Sequence, residues 1–281
     1  MENNTPVINP KKKFQYQPTI DIDNAWAFKN KGLIRVVGNY LKDLFQLNLK
    51  DIVFRSQVLL NLKKDPFDNY EFIINIHQKY NLYPIFFILC GRYGYIDKNI
   101  NIDNQKYRKL IKHLSDYGKI GIHPSYNSND NPYFLKKEIK NLSSIVNFNI
   151  VESRQHFLKL EFPQTYRNLI NNNISSDYTM GYASEVGFRA GISRPFYFFD
   201  IDADVETKLR IHPFCIMDST LKNYKNYNPE EAIENILPVI NSVKLVKGNL
   251  ITVWHNESFG GYAVWKGWET IYENLLNIIL S

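Results

Sequence analysis

The alternation of short apolar runs with longer segments of helical period is the feature that most constrains the fold of this chain. The apolar runs have the length of β-strands, and segments with helical spacing of apolar residues lie between them. The strand-like runs are 19–23, 83–89, 119–123, 149–153, 195–201 and 250–254, and the helical segments lie near 32–47, 103–117, 132–144, 163–172, 229–242 and 268–279. Repeated βα units favour a mostly parallel sheet, either closed as a barrel or open and doubly wound.

The domain organisation follows from the same pattern and from the length. A chain of 281 residues lies within the range of single α/β barrels, so it does not require two domains. Residues 1–18 contain prolines and a run of lysines, and we expect them to form an extended arm ahead of one domain at 19–281. The stretch 50–75 and the Asn-rich segment 125–132 give no clear prediction of helix or strand.

Composition excludes several classes of protein. The 34 basic and 28 acidic residues give a formal charge of +6, but the lysines are scattered apart from one short run, so a nucleic-acid partner is not indicated. The two cysteines lack the spacing of a disulfide framework or zinc ribbon and fit a reducing compartment. No signal-peptide pattern opens the chain and no apolar run is long enough to span a membrane, so we expect a cytoplasmic protein.

Polar residues that can bind a metal or move protons follow several of the predicted strands. Asp21 and Asp23 end the first strand, and their spacing puts both carboxylates on one face, where they repel each other unless a cation or proton intervenes. A cap on the following helix is the alternative explanation for this pair. Because sites in βα proteins form at the carboxyl ends of strands, the pair suggests a metal site there.

Other strand ends carry imidazoles and a guanidinium. His123 and His255 each follow an apolar strand, while Arg154 and His156 follow the strand at 149–153. An arginine in such a position can hold a carboxylate in a bidentate pair. Each residue taken alone has an ordinary structural explanation, but their convergence at separate strand ends predicts one functional site.

These motifs, in this order, resemble those of the polysaccharide deacetylases, the NodB-homology group of carbohydrate esterases. The similarity runs from about residue 18 to the C-terminus. It rests on Thr19–Asp23, Ile120–Ser125, Arg154 and Val253–Asn256, and the phrases 154–158, 187–191 and 217–221 are similar to a divergent bacterial branch. The resemblance implies an α/β fold, a deformed (β/α) barrel of about seven parallel strands.

The resemblance also implies roles for individual residues. Asp21 becomes the general base and His255 the general acid, with Arg154 orienting Asp21 and Asp218 holding His255 in its protonated form. Asp23 and His123 become ligands of a divalent metal, with zinc as the expected ion. The implied reaction removes the acetyl group from an N-acetylated sugar or glycan, in the biosynthesis of a surface glycan.

One departure from the family pattern puts the third metal ligand in question. The family usually has a second histidine four residues after the first, and here that position is Asn127, a poor zinc ligand. His156 is the candidate replacement. If no residue replaces it, the site either holds a metal weakly or has lost catalysis, and in the second case the chain is a catalytically inactive carbohydrate-binding relative. A glycosyltransferase with a metal–nucleotide site at Asp21 and Asp23, or in the acidic run 200–204, is a third possibility, but it leaves His123 and His255 unexplained.

Overall fold

The computed structural model describes residues 13–281, which form a sheet of nine strands together with nine α-helices. The strands are β1 Gln15–Ile22, β2 Ile85–Leu89, β3 Lys119–His123, β4 Glu152–Ser153, β5 Ser176–Asp177, β6 Phe196–Asp200, β7 Val205–Ile211, β8 Ile216–Met217 and β9 Asn249–His255. The helices are α1 Leu33–Phe45, α2 Leu49–Leu59, α3 Tyr70–Lys79, α4 Gln105–Ser115, α5 Tyr126–Asp130, α6 Pro132–Val146, α7 Gln164–Asn171, α8 Pro229–Leu245 and α9 Ile271–Leu280. None of the helices formed by residues 13–281 is long and apolar enough to cross a membrane.

Asparagines fix the beginnings of several helices. The side chains of Asn48, Asn104, Asn131 and Asn228 each accept a hydrogen bond from a backbone N–H in the first turn of α2, α4, α6 and α8. The bond at Asn228 is part of a capping box, because the Glu231 carboxylate accepts the backbone N–H of Asn228 in return. Such caps satisfy donors that the helix itself leaves unpaired, so the asparagine-rich composition has a direct structural use.

The sheet is almost entirely parallel and curls on itself. Its strands lie in the order β6-β7-β5-β4-β3-β2-β1-β9-β8, and only the edge pair β6–β7 is antiparallel. After β7 the chain passes between the two sides of the sheet. The Phe214 N–H donates to the Met180 carbonyl just past β5, and the Cys215 N–H donates to Ile251 in β9. These bonds bring the two sides together and complete an irregular barrel.

Apolar residues lie on both faces of the sheet. The larger core lies between the strands and the surrounding helices, and a smaller one fills the barrel interior with residues such as Phe87, Phe214 and Val253. Gly121 is needed beside this interior core, since a Cβ there would lie 2.5 Å from the Phe87 ring. Parallel strands that are buried on both faces explain why the strand-like runs of the sequence are continuously apolar.

The structure confirms the deformed (β/α) barrel, with differences in detail. Eight strands are mutually parallel rather than about seven, because β4, β5 and β8, of two residues each, complete the ladder. The first strand begins at Gln15 rather than Thr19, since its pairing with β9 continues to Asn249. Residues 1–12 of the expected arm lie outside the described residues. The stretch 50–75 contains most of α2 and part of α3, and the run at 195–201 forms the antiparallel edge strand β6.

Candidate metal and catalytic centre

Three histidines converge on the carboxylate of Asp23, the residue that follows β1. The Oδ1 of Asp23 lies 3.1 Å from Nε2 of His123, and its Oδ2 lies 3.5 Å from Nε2 of His156 and 3.8 Å from Nε2 of His255. The imidazoles come from the ends of β3 and β9 and from the segment after β4. All of them lie at the carboxyl end of the barrel, where the sequence predicted a site.

Hydrogen bonds at the far side of two rings fix which nitrogen faces Asp23. The Nδ1 of His123 lies 2.5 Å from the carbonyl oxygen of Arg154, which can only accept, so this nitrogen carries the proton. The Nδ1 of His156 lies 2.7 Å from Oδ1 of Asp97. A carboxylate or carbonyl behind the imidazole is the usual arrangement around a metal-binding histidine, and it leaves the Nε2 lone pair directed at the ion.

The residues fit a divalent cation. Within the described part of the chain, Oδ1 of Asp23 is buried and has no hydrogen-bond partner, although it lies 3.1 Å from His123 Nε2. The candidate ligand atoms of Asp23, His123 and His156 all lie within 4.8 Å of one another. Bonds of about 2.1 Å in a tetrahedral site place ligand atoms about 3.4 Å apart, close to the separations found here. One carboxylate and two imidazoles suit zinc, cobalt, nickel or manganese.

The charges within this cluster favour an ionised carboxylate. Burial alone would raise the pKa of Asp23, but the neighbouring His156 and His123 outweigh it and hold that pKa well below its usual range. Burial would lower the pKa of His156, but the carboxylates of Asp23 and Asp97 raise it to about 9. Since a metal ligand must be deprotonated, the Asp23 carboxylate is ready to bind a cation at neutral pH, whereas His156 would release its Nε2 proton when the cation binds.

A buried ion pair lies beneath the cluster, inside the barrel. The Nη1 of Arg154 donates to Oδ1 of Asp21 and to Oγ1 of Thr19, each at 2.7 Å, and its Nε donates to the Tyr178 carbonyl. The guanidinium is fully buried, and its Cζ lies 4.5 Å from the centre of the Phe87 ring. The pair ties down one oxygen of Asp21, whereas Oδ2 lies 3.9 Å from Nε2 of His123.

A second pair, formed by a carboxylate and an imidazole, lies on the other side of the cluster. Asp218, which follows β8 and is fully buried, accepts from Nδ1 and from the backbone N–H of His255, each at 2.7 Å. Its Oδ1 also accepts the backbone N–H of Ser219. Burial would lower the pKa of His255, but the Asp218 carboxylate outweighs it and raises that pKa well above its usual value. The Asp218 carboxylate thus favours the protonated form of His255, whose Nε2 is directed toward the centre.

These groups share one cavity of about 280 Å³. It is lined by Asp21, Asp23, His123, Gln155, His156, Phe157, Leu158, Ala183, Met217, Ser219, Asn223, Tyr224 and His255. At its rim, Phe157 and Leu158 adopt positive φ angles of 58° and 52°, a conformation that L-residues other than asparagine and aspartate rarely take. Strained backbone of this kind is common at functional sites. Here it places the exposed Phe157 ring 4.5 Å from that of His156.

The structure brings together every residue that the sequence singled out for the site. Asn127 is exposed on α5 and lies outside the cluster of candidate metal ligands. That cluster consists of Asp23, His123 and His156. Asp97 was not predicted, because it lies in a long irregular segment after β2 rather than at a strand end. The acidic run 200–204 is elsewhere. Its Asp200 pairs with Arg167 at 2.6 Å, so that run gives no support to a nucleotide site.

Comparisons with solved structures identify the fold as that of the polysaccharide deacetylases. A Mycobacterium smegmatis protein assigned as a polysaccharide deacetylase matches with a TM-score of 0.59 and 13% identity, over 97% of this chain and 87% of that one. Puue allantoinase matches with a TM-score of 0.58 and 9% identity, over 96% and 86%. A CE4 family pseudoenzyme from Bacillus anthracis matches less well, with a TM-score of 0.45 and 12% identity, over 96% and 62%.

Comparison at the level of sequence adds nothing to this assignment. No protein-family model matches the chain, and no curated protein matches it. The fold is therefore recognised through structure, at identities too low to transfer an activity. Because a deacetylase and an allantoinase match almost equally well, the fold alone does not select the substrate.

Proposed function

We propose that this chain is a metal-dependent deacetylase that removes the acetyl group from an N-acetylated sugar or glycan. The observation that carries the proposal is the arrangement of two charged pairs around one cluster. Asp21 with Arg154 and His255 with Asp218 flank the three candidate metal ligands at the floor of one cavity. This arrangement supplies a base, an acid and a cation site within reach of a single bound amide.

Each residue has a defined task in the proposed reaction. When bound, the divalent metal polarises the acetamide carbonyl and acidifies a water molecule. Asp21 takes a proton as the water oxygen forms its bond to the carbonyl carbon, while Arg154 keeps the carboxylate oriented. His255 gives a proton to the amine nitrogen as the carbon–nitrogen bond breaks. The products are acetate and the free amino sugar, and Asp218 stabilises the imidazolium until its proton is transferred.

The rim of the cavity supports a sugar substrate. Phe157 and Tyr224 line the cavity and are both exposed, so each offers an aromatic face to a pyranose ring above the catalytic groups. We place the reaction in the cytoplasm, a reducing compartment that suits the two free thiols, and we propose a precursor of a surface glycan as the substrate. Zinc remains the expected metal, since tetrahedral sites with imidazole and carboxylate ligands are typical of it.

The inactive, carbohydrate-binding alternative depended on Asn127, which replaces the family's usual ligand. His156, backed by Asp97, offers a third ligand in its place, and this supports the catalytic interpretation over the inactive one. A catalytic role also accounts for the two charged pairs, Asp21 with Arg154 and His255 with Asp218, that flank the cluster. A carbohydrate-binding module needs neither a buried base nor a protonated imidazole.

The proposal is tested by metal content and acetate release measured on the same samples. Wild-type protein should contain about one equivalent of metal and release acetate from N-acetylated sugars. The Asp23→Ala, His123→Ala variant should lose both properties, whereas Asp21→Asn should keep the metal and lose acetate release. Asp202→Ala, at the β6–β7 turn, is the matched control and should keep both. Wild type that binds no zinc, cobalt or nickel, or that binds metal but acts on no N-acetylated sugar, would contradict the proposal.

A further inference from the structure

Helix α1 carries its apolar side outward. Its large apolar residues Leu33, Ile34, Val37, Leu41, Leu44 and Phe45 are all exposed, and Asp43 is the residue of this helix that is buried. Ile34 is 91% exposed and Phe45 is 85% exposed. At 100° per residue the six apolar residues fall within an arc of about 120°, which we call the apolar face. A surface helix of a globular protein normally turns such a face toward the core.

Polar contacts fix the inner side of α1 in this orientation. Asp43 forms a buried ion pair of 2.6 Å with Arg55 of α2, and the hydroxyl groups of Tyr40 and Ser56 lie 2.8 Å apart. Arg35 donates to the carbonyl oxygen of Asn99. Rotating the apolar face inward would break these bonds and expose a buried ion pair. The outward direction of the face is therefore built into the helix.

The segment that contains α1 and α2 has a basic surplus, although the lysines are scattered along the chain as a whole. Residues 29–64 contain eight lysines or arginines and two aspartates, a surplus of six that equals the +6 of the whole chain. Neither aspartate, Asp43 nor Asp51, is exposed, whereas Lys42, Lys50, Lys63 and Lys64 are. An exposed apolar face on a helix whose own segment carries exposed lysines is the pattern of a helix that lies in the interface of an anionic bilayer.

The helical pair α1–α2 lies at the end of the barrel that carries the candidate site. Phe54 of α2 stacks on Tyr262 at 5.3 Å, and Tyr262 lies in the segment that follows β9 and His255. The bond from Arg35 reaches the segment that follows β2. Both segments begin at the carboxyl end of a strand. The apolar face thus belongs to the same end of the molecule as the opening of the cavity.

We propose that α1 docks this protein on the surface of an anionic lipid bilayer, with its apolar face inserted among the lipids and the lysines against the headgroups. A second copy of the chain is a poorer candidate for covering the apolar face, since pairing two such faces would bring two strongly basic surfaces together. The surface binding goes beyond the deacetylase reaction and does not depend on it. If both proposals hold, the enzyme works on a glycan that is itself attached to the membrane.

Vesicle sedimentation with the full chain tests this inference. Wild-type protein should bind vesicles of phosphatidylcholine with phosphatidylglycerol, bind pure phosphatidylcholine weakly, and be released by salt. Ile34→Ser with Phe45→Ser should lower the partition coefficient by about tenfold or more, because two large apolar side chains are removed from the lipid phase. Ile201→Ser with Leu245→Ser is the matched control, since both residues are 83% exposed elsewhere, and it should bind like wild type.

Several outcomes would overturn the inference. The first is an absence of binding to anionic vesicles at low salt, and the second is an equal loss of binding in the matched control. The third is a wild-type protein that does not bind vesicles but forms a dimer, which the substitutions Ile34→Ser and Phe45→Ser dissociate. The last result would assign the apolar face to a second copy. The metal-site variant Asp23→Ala, His123→Ala should bind vesicles like wild type. Membrane binding and deacetylation are therefore tested separately.

Discussion

Nδ1 of His156 lies 2.7 Å from Oδ1 of Asp97, and this pair directs the opposite nitrogen of the ring toward Asp23. The sequence left the third metal ligand open, because Asn127 occupies the position where the family usually has a histidine. The contact with Asp97 supports His156 as the candidate for that ligand. Asp97 also accepts the backbone N–H of Tyr126, so it ties the imidazole to the start of α5. His156, the candidate third ligand, thus comes from a different strand end and has its own supporting carboxylate.

Removing that carboxylate should weaken metal binding without abolishing it. Asp97→Asn leaves His156 in place but removes the charge that orients its ring and raises its basicity, so metal affinity should fall by about 10–100-fold. His156→Ala should cause a larger loss. Competition with a zinc-binding chelator measures both affinities. Asn127→Ala, at an exposed position of α5, should leave the affinity unchanged, and a loss there equal to that of Asp97→Asn would refute this ligand set.

The Asp21–Arg154 pair should behave as a buried ion pair in stability measurements. Arg154→Met leaves the Asp21 carboxylate buried without its partner, and the free energy of unfolding should fall by about 3–5 kcal/mol. Adding Asp21→Asn should restore part of the loss, since the uncompensated charge is gone. Urea unfolding of the single and double variants measures the difference. Additive losses in the double variant would mean that the two side chains do not interact.

The pH dependence of acetate release should report the Asp218–His255 pair. In the proposed reaction His255 acts as the acid, so we expect activity below its raised pKa and a loss of activity as the pH rises through that pKa. Asp218→Asn removes the charge that raises this pKa, and the alkaline limb of the pH–rate profile should move to lower pH. Metal content should not change. An alkaline limb that stays in place would assign the proton donor to another group.

The barrel could be predicted from the sequence because its long strands are continuous apolar runs between helical segments. The strands β4, β5 and β8 of two residues each could not be counted in this way, since so short a segment carries no periodicity. The site was predictable to the extent that its residues stand at strand ends. Asp21, His123 and His255 do so, and the parallel register that pairs Asp21 with His255 brings them together.

Two features could not be predicted from the sequence: the place of Asp97 in the candidate site and the direction of the apolar face of α1. Asp97 enters the site through an irregular segment, and nothing in its neighbours distinguishes it from a surface aspartate. The apolar period of α1 predicted a helix correctly, but periodicity does not state which face is buried. The exposure of its apolar residues and the contacts of Tyr40 and Asp43 with α2 show that the apolar face is turned outward.

A buried histidine far from the site should make the fold sensitive to acid. Nδ1 of His77 in α3 donates to the Ile73 carbonyl, and Nε2 accepts from the Tyr272 hydroxyl of α9, each at 2.7 Å. Burial lowers the pKa of His77 from 6.5 to about 4. The unfolded chain therefore binds a proton more readily than the native one. The contribution of neutral His77 is complete above pH 6.5 and is lost as the pH falls toward 4.

The expected loss between pH 7 and pH 4 is about 3 kcal/mol from this residue. Urea unfolding of wild type and His77→Gln at both pH values isolates the contribution of His77 to the free energy of unfolding. The other titrating groups, His212 among them, are present in both proteins. His77→Gln should be less stable than wild type at pH 7, since it disturbs the bonds to Ile73 and Tyr272. Its stability should nevertheless change less with pH. Equal pH dependence in the two proteins would show that His77 titrates alike in the folded and unfolded states.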